Sequence, residues 1–252
     1  MEDRRLNKEV KVLAILQARM SSSRLPGKVL KPLLGKPMLE RQLERLQQVK
    51  KIDLVLVATS DGDEDSAIEE LCKKVNVPCF RGSLNDVLNR FYQAAKTYQP
   101  EHVVRLTGDC PLVSPKIIDK VISQHLSSDK VYTSNCYPPS LPDGLDMEIF
   151  TWDALEVAEQ EVKSDYDREH VTTYIRNNLT KEKQGFYIHP TDLSAHRWTV
   201  DYPEDFKLVS EIFSALYPKN QMFELNDILV FLEENPELSS MNQHKIRNET
   251  CQ

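Results

Sequence analysis

The sequence predicts an α/β protein of three layers, in which a mostly parallel, doubly wound sheet lies between two layers of helices. Two apolar runs rich in β-branched residues, at 10–17 and 52–58, have the length and composition of strands buried on both faces. Amphipathic segments of helical spacing separate these runs from the shorter apolar runs that follow. Strands that alternate with helices form right-handed crossovers, and these produce a parallel sheet.

Four strand–helix units are predicted in the first half of the chain, residues 10–127. Between the first two strands, Met38, Leu39, Leu43 and Leu46 recur at helical spacing. The acidic residues that open the second helix suit the positive end of its dipole. We place the strands at 10–17, 52–58, 77–80 and 102–106, and the helices at 37–49, 63–75, 84–98 and 115–126.

After residue 127 the pattern changes, and a smaller α+β portion is predicted to complete the sheet. A single domain over residues 10–236 is therefore expected, with halves at 10–127 and 128–236. Residues 1–9 and the polar tail at 237–252 are expected to be frayed. In the second half we place strands at 131–134, 147–150 and 186–189, and helices at 152–160, 167–177, 203–216 and 224–234.

Composition excludes several classes of protein. The formal net charge of −7 argues against a general nucleic-acid binder, which normally presents a basic face. No apolar run approaches the roughly 20 residues of a membrane-spanning helix, and the charged N-terminus lacks the apolar core of a signal peptide. The cytoplasm is the expected compartment. Five cysteines with no CxxC pair indicate neither a disulfide framework nor a zinc knuckle.

A basic loop follows the first predicted strand. The segment QARMSSSRLPGK carries Arg19, Arg24 and Lys28 beyond the carboxyl end of that strand, where ligands bind in open parallel sheets. Guanidinium and ammonium groups together with hydroxyl and amide donors suit a polyphosphate. Neither GxxxxGK[ST] nor GxGxxG occurs, which argues against P-loop hydrolysis and dinucleotide redox chemistry. By charge alone, a solvated basic turn is the better explanation of the loop.

Two widely separated aspartates are candidates for a metal site. Asp109, in the sequence LTGDCPL, follows the fourth predicted strand and is expected to face the same crevice as the basic loop. Asp201, in the sequence WTVDYPED, precedes a predicted helix. Mg²⁺ prefers one or two carboxylates together with phosphate oxygens and water. An Asx-turn at Asp109 and a helix N-cap at Asp201 are the alternative, purely structural roles.

The order of these motifs resembles one enzyme family. RLPGK followed by LLGKP, then GD.PL, and later D.PED is similar to the nucleotide-diphospho-sugar transferase-like cytidylyltransferases for 3-deoxy-manno-octulosonate and acylneuraminate. The overall sequence, including RGSLNDVLNRFY, is most similar to the group called spore coat polysaccharide biosynthesis protein SpsF. Ser22 and Val29 depart from the acylneuraminate pattern. The resemblance implies an enzyme that transfers a cytidylyl group from CTP to a sugar or sugar acid and releases pyrophosphate, for a surface or spore coat polysaccharide.

The same resemblance implies the roles of individual residues. Residues 10–127 would bind nucleotide and residues 128–236 the acceptor. The implied metal ligands for Mg²⁺ are Asp109 and Asp201, and with Arg19 and Lys28 they are the implied catalytic set. The CTP-binding positions are Ala18, Arg19, Arg24, Lys28, Thr59, Ser60, Arg81 and Asp109, and the acceptor-binding candidates are Asp146, Glu148 and His170.

Each of the secondary candidates also has a structural explanation. Thr59 and Ser60 are placed to meet a pyrimidine edge but suit a simple turn, and His170 suits packing. Related transferases are often homodimers, although no segment here identifies an interface. Partners other than CTP and a small sugar are not indicated.

Three other functions remain open at this stage. A uridylyl- or guanylyltransferase, or a cytidylyltransferase for a phosphorylated polyol, would share the fold but normally carries a GxGTR-like loop. A nucleotide-sugar-dependent glycosyltransferase would present an Asp-x-Asp motif, and such motifs occur at 61–63, 63–65 and 165–167. A binding protein that has kept the scaffold without catalysis is the third.

Overall fold

A computed structural model describes residues 9–245 and residue 247. Its centre is a seven-stranded sheet with the strand order β5-β4-β1-β6-β8-β7-β9, and a two-stranded hairpin of β2 and β3 lies beside it. The strands are β1 (Val12–Gln17), β2 (Pro32–Leu33), β3 (Lys36–Pro37), β4 (Leu54–Ser60), β5 (Cys79–Gly82), β6 (His102–Thr107), β7 (Tyr132–Ser134), β8 (Glu148–Thr151) and β9 (Gln184–Phe186).

The sheet is mostly parallel, as predicted. Strand β1 pairs in parallel with β4 on one side and with β6 on the other. Strand β8 is antiparallel to both β6 and β7, and β9 returns to a parallel pairing with β7. The two halves of the chain therefore share one continuous sheet, joined where β6 pairs with β8.

Helices cover both faces of this sheet. Successive side chains of a strand point to opposite faces, and in β1 Leu13 and Ile15 pack into one apolar core while Ala14 and Leu16 pack into the other. All four are inaccessible to solvent. The α-helices are α1 (Met38–Leu46), α2 (Ser66–Val75), α3 (Val87–Lys96), α4 (Pro115–Leu126), α5 (Trp152–Glu161), α6 (Asp165–His170), α7 (Thr173–Asn178), α8 (Pro203–Leu216), α9 (Leu225–Glu234) and α10 (Pro236–Ser239).

The structure corrects two of the elements predicted in the second half of the chain. The single helix predicted at 167–177 is two helices, because Val171 adopts a φ of 57° between α6 and α7. A helix cannot continue through a residue in that conformation. The strand predicted at 186–189 ends at Phe186 and begins two residues earlier.

The tail after Pro236 was expected to be frayed, and this expectation is wrong for its described residues. Asn242 is almost fully buried, and its amide donates to the carbonyl of Arg197 and to Asp205. Arg247 donates to the carbonyl of Leu141 and to Asp146. The tail thus packs against the second half. At the other end, the expected frayed segment 1–9 lies outside the described residues except for Glu9.

Over residues 9–245, no helix has both the length and the apolar character needed to cross a bilayer.

Candidate active site

A lysine joins the two aspartates that the sequence singled out. Lys28 begins a 3₁₀ turn in the loop after β1, and its ammonium nitrogen lies 3.1 Å from Asp109 Oδ2 and 2.9 Å from Asp201 Oδ1. It also donates to the carbonyl of Val200 at 2.8 Å. Arg24, from the same loop, reaches Asp201 Oδ1 at 2.8 Å. Three segments far apart in sequence therefore converge at one point.

The opposite charges of Lys28 and the two aspartates keep all three groups ionised. Burial opposes the charge of Lys28, but the carboxylates of Asp109 and Asp201 outweigh it and raise the pKa of that lysine. Burial likewise opposes ionisation of Asp201, yet Lys28 and Arg24 hold its pKa at about 2. The pKa of Asp109 is also lowered, since Lys28 outweighs both burial and the repulsion from Asp201. All three groups are charged at neutral pH.

Asp109 is positioned by close backbone contacts at the carboxyl end of β6. Gly108 donates from its amide to the carbonyl of Gln17 at 2.8 Å, and a Cβ at Gly108 would lie 3.0 Å from Ala18 Cβ. A larger residue at this position would require Ala18 to shift by a few tenths of an ångström. The amide of Val200 donates to the carbonyl of Asp109 at 2.8 Å, which fastens the Asp201 segment beside it.

Arg197 donates to the second carboxylate oxygen of Asp201. Its guanidinium donates to Asp201 Oδ2 at 2.9 Å, to Asp143 Oδ2 at 2.8 Å and to Asp205 at 3.1 and 3.2 Å. Asp205 is fully buried at the start of α8, where it also accepts the backbone amides of Asp201 and Tyr202. Asp205 is thereby part of the capping box that begins α8.

The donor set at this point fits a divalent cation that arrives with a polyphosphate. Among residues 9–245, no group of three or more His, Cys, Asp or Glu side chains could hold a metal by itself. Two carboxylates that converge on one cationic nitrogen, however, provide the ligand count that Mg²⁺ uses when phosphate oxygens and water complete its shell. Asp109 and Asp201 are the residues that would hold it.

Arg19 contacts a different carboxylate from Arg24 and Lys28, although the resemblance grouped the three. It is exposed, and its guanidinium lies 3.7 Å from Glu169 Oε1 in α6. Burial is the main factor that lowers the pKa of Arg90, in α3. Repulsion from the charge of Arg19 is the next factor. Glu169 also lines a cavity of about 560 Å³ together with Asn85, Asp165, Tyr166 and His170.

Thr59 and Ser60 are both buried at the end of β4, but their hydroxyl groups differ in their contacts. The hydroxyl of Ser60 donates to Asp65 Oδ2 at 2.5 Å, whereas the hydroxyl oxygen of Thr59 has no hydrogen-bond partner among the described residues. Asp65 therefore engages Ser60 alone, and the contact of these side chains with a pyrimidine edge stays a prediction.

Arg81 is similarly occupied within its own turn. Its guanidinium donates to the carbonyls of Ser60 and Gly62, to the hydroxyl of Ser66 and to Glu69. The side chain thus braces the turn after β4, and its contact with a nucleotide stays a prediction.

The three acceptor candidates lie in the second half of the chain in different settings. Glu148 is buried, accepts from Arg105 at 2.6 Å and from the hydroxyl of Tyr132 at 2.6 Å, and so is already satisfied. Asp146 pairs with Arg247. His170 is half-buried at the cavity, and burial followed by the charge of Arg105 lowers its pKa.

A comparison of sequences decides the family. The family profile described as cytidylyltransferase matches residues 13–235, which is most of the chain. This chain belongs to the cytidylyltransferase family. Cytidylyltransferases are nucleotidyltransferases, so the chain is an enzyme of that class. The resemblance read from its motifs is confirmed.

Two relatives and two solved structures show the extent of the likeness. The cytidylyltransferase is 41% identical to an uncharacterised protein of Methanocaldococcus jannaschii, over 93% of this chain and 96% of that protein. It is 32% identical to the spore coat polysaccharide biosynthesis protein SpsF of Bacillus subtilis, over 91% and 97%. A cytidylyltransferase structure from Leptospira borgpetersenii superposes with a TM-score of 0.87 at 36% identity, over 94% and 98%.

More distant structures share the fold. The structure of CMP:2-keto-3-deoxy-manno-octonic acid synthetase complexed with CTP has a TM-score of 0.62 at 17% identity, and covers 81% of this chain and 98% of that chain. At this identity the likeness concerns the fold alone. The predicted nucleotide-diphospho-sugar transferase-like architecture is confirmed.

Sequence reasoning missed two residues that organise the site of this cytidylyltransferase. Neither Arg197 nor Asp65 is among the predicted site residues. Asp65 accepts from the amides of Met20 and Ser60, so it ties the basic loop to the end of β4. One signal was available for each: Arg197 stands four residues before Asp201, and Asp65 closes the acidic run DGDED after a buried strand.

Proposed function

We propose that this enzyme transfers a cytidylyl group from CTP to an oxygen of a sugar or sugar acid and releases pyrophosphate, in a reaction that depends on Mg²⁺. The observation that carries the proposal is the contact of Lys28 with both Asp109 and Asp201, which are 81 and 173 residues away along the chain. Only a folded crevice that concentrates both signs of charge brings these groups together.

The proposed chemistry is a single displacement. The acceptor oxygen forms a bond to the α-phosphorus while the bond to the bridging oxygen breaks, and pyrophosphate leaves with the electron pair. The acceptor loses its proton, if it has one, to water. Arg24 and Lys28 bind and neutralise the leaving group, and Asp109 and Asp201 orient the metal-bound nucleotide. When bound, Mg²⁺ supplies Lewis-acid polarisation of the phosphate oxygens.

The proposal gives Arg19 a role of its own, separate from those of Arg24 and Lys28. Its exposed guanidinium lies on the side of the basic loop that faces α6, next to the cavity with His170. We propose that Arg19 binds phosphate oxygens on the acceptor side of the nucleotide once Glu169 releases it. The pair is separated by 3.7 Å and is solvent-exposed, so little free energy opposes its opening.

Relatives support the class of acceptor and the pathway. The chain is 35% identical, over 49% of its length, to a 3-deoxy-manno-octulosonate cytidylyltransferase of Zea mays. A sugar acid is therefore the acceptor class that we favour. The similarity to SpsF supports a role in making a surface polysaccharide, and the cytoplasm is the compartment where we place the reaction.

A pyrophosphate-release assay tests the proposal. We expect release from CTP with Mg²⁺ and a 2-keto sugar acid, and much less with UTP, GTP or ATP. Sugar phosphates in the same panel show whether the attacking oxygen belongs to a phosphate. Release from UTP or GTP in preference to CTP would contradict the choice of nucleotide, and transfer of sugar from a nucleotide sugar without pyrophosphate release would indicate a glycosyltransferase.

A further inference from the structure

We infer that Lys28 competes directly with the divalent cation for Asp109 and Asp201, so that metal and nucleotide bind this enzyme cooperatively. This inference rests on the proposed function, since it assumes that the two aspartates are the metal ligands. It adds a role in which the ammonium of Lys28 holds the carboxylates until a polyphosphate draws it away.

The contacts of the carboxylate oxygens carry the inference. Asp201 Oδ1 accepts from both Lys28 and Arg24, and Asp201 Oδ2 accepts from Arg197. Asp109 Oδ2 accepts from Lys28, and the neighbour of its Oδ1 is the weakly polar thiol of Cys110 at 3.4 Å. A cation that ligates both aspartates must therefore take at least one oxygen that a protein cation already occupies.

Of the cations that contact Asp201, Arg197 has the most carboxylate partners, so Lys28 and Arg24 are the ones that we expect a metal ion to displace. Arg197 is buried and is held by Asp143 and Asp205 in addition to Asp201. Lys28 and Arg24 belong to the loop that follows β1. A lysine ammonium is a compact point charge on a flexible stem, which suits it to exchange one anionic partner for another.

Distance makes the two occupants mutually exclusive. Mg²⁺ lies about 2.1 Å from its ligand oxygens. Lys28 lies 3.1 and 2.9 Å from oxygens of both aspartates, so a divalent ion bridging these oxygens would face an ammonium across a gap too short for two positive charges. Lys28 must leave for the cation to enter, and the triphosphate supplies the negative charge that receives it.

Binding of Mn²⁺ alone, followed by electron paramagnetic resonance without nucleotide, tests the inference. We expect Lys28→Met to bind Mn²⁺ at least about fivefold more tightly than the wild type, the lower end of common coupling between sites. Lys28→Arg, which keeps the charge, and Lys116→Met, which removes an exposed lysine on α4, should bind like the wild type. Asp201→Asn should lose the binding.

The contrary results are equally definite. Equal or weaker Mn²⁺ binding by Lys28→Met overturns the inference, as does unchanged binding by Asp201→Asn. If Lys28→Met does not fold, nuclear magnetic resonance of the lysine ¹⁵Nζ in the wild type decides, with the Lys28 signal assigned from its loss in Lys28→Arg. We expect Mg²⁺ to shift that signal, and an unmoved signal contradicts the competition.

The proposed function can fail separately. A wild-type enzyme that releases pyrophosphate from CTP, but whose Lys28→Met variant gains no affinity for Mn²⁺, contradicts the competition alone. A wild-type enzyme that releases no pyrophosphate contradicts the proposed function, whatever the Mn²⁺ measurements give.

Discussion

Arg197 is a buried residue that contacts the candidate site through Asp201. It joins Asp201 to Asp143 and Asp205, three carboxylates that would repel one another without it. Their combined charge raises the pKa of Arg197 although burial opposes it. Burial, and then the charge of the Asp146 carboxylate, raise the pKa of Asp143 to about 7. Arg197 is thus a positioning residue for Asp201.

Replacing Arg197 by Met should lower both stability and turnover. Removing one partner of a buried ion pair leaves uncompensated charge and costs about 3–5 kcal/mol. We expect a loss of that size in the free energy of unfolding, measured in urea, and a fall in kcat larger than any rise in KM for CTP. Arg197→Lys should retain part of both. If Arg197→Met were as stable and active as the wild type, the positioning role would be refuted.

Individual elements also set the geometry of the basic loop. Asp65, in the 3₁₀ turn before α2, accepts the amide of Met20 at 2.7 Å and the amide of Ser60 at 2.9 Å. The loop after β1 and the end of β4 are therefore fastened to the same fully buried carboxylate. A nucleotide bound by this loop depends on that attachment.

Asp65→Ala should loosen the loop. Loss of hydrogen bonds to a buried charged group costs about 2 kcal/mol, and we expect a decrease of this order in the free energy of unfolding. The KM for CTP should rise as well. The exposed Asp63, two residues earlier, provides the matched control, and Asp63→Ala should change neither quantity. A rise in KM of equal size in both variants would rule out a specific role for Asp65.

Helix α4 contacts the sheet through buried His125 and half-buried His102. His125 Nδ1 lies 2.9 Å from the hydroxyl of Thr133 in β7, and its Nε2 lies 3.1 Å from His102 Nδ1 in β6. Burial, and then repulsion from His102, lower the pKa of His125 from 6.5 to about 4. The neutral form is therefore the one that the folded chain requires.

The sign of the pH dependence follows from this pKa. A depressed pKa means that the unfolded chain binds the proton more tightly than the folded chain does. The contribution of His125 to the free energy of unfolding is therefore fully present above pH 6.5 and is lost as the pH falls towards 4. The loss amounts to about 3 kcal/mol at most. Urea unfolding between pH 7 and 4 should show it, and His125→Gln should flatten the slope. A slope unchanged in His125→Gln would contradict the account.

On the scale of the whole molecule, the sequence predicted the layers and the crevice because both depend on patterns that are visible along the chain. Buried runs such as 10–17 and 52–58 fix the central strands. Parallel strands bring their carboxyl ends together, which places Lys28 near Asp109. Asp201 comes from a segment outside the parallel strands, and its position was expected only by resemblance to a family.

Other features could not be predicted for identifiable reasons. The burial of Asn242 depends on tertiary hydrogen bonds to Arg197 and Asp205, which leave no periodic signal in a polar tail. The break at Val171 places a β-branched residue at a positive φ against its local preference. The hydrogen bond from Ser60 to Asp65 could not be predicted, because a turn after a strand and a base-binding loop have the same residue types.

The central claim is that Asp109 and Asp201 act together on one metal-bound nucleotide. The most direct measurement is Mg²⁺-dependent pyrophosphate release from CTP by Asp109→Asn and Asp201→Asn, beside Asp63→Asn as the surface control. We expect each of the first two to lower turnover by at least about a hundredfold, the size of one lost electrostatic contact in the transition state, while the control stays active. Near-normal release by either Asp109→Asn or Asp201→Asn would contradict the claim.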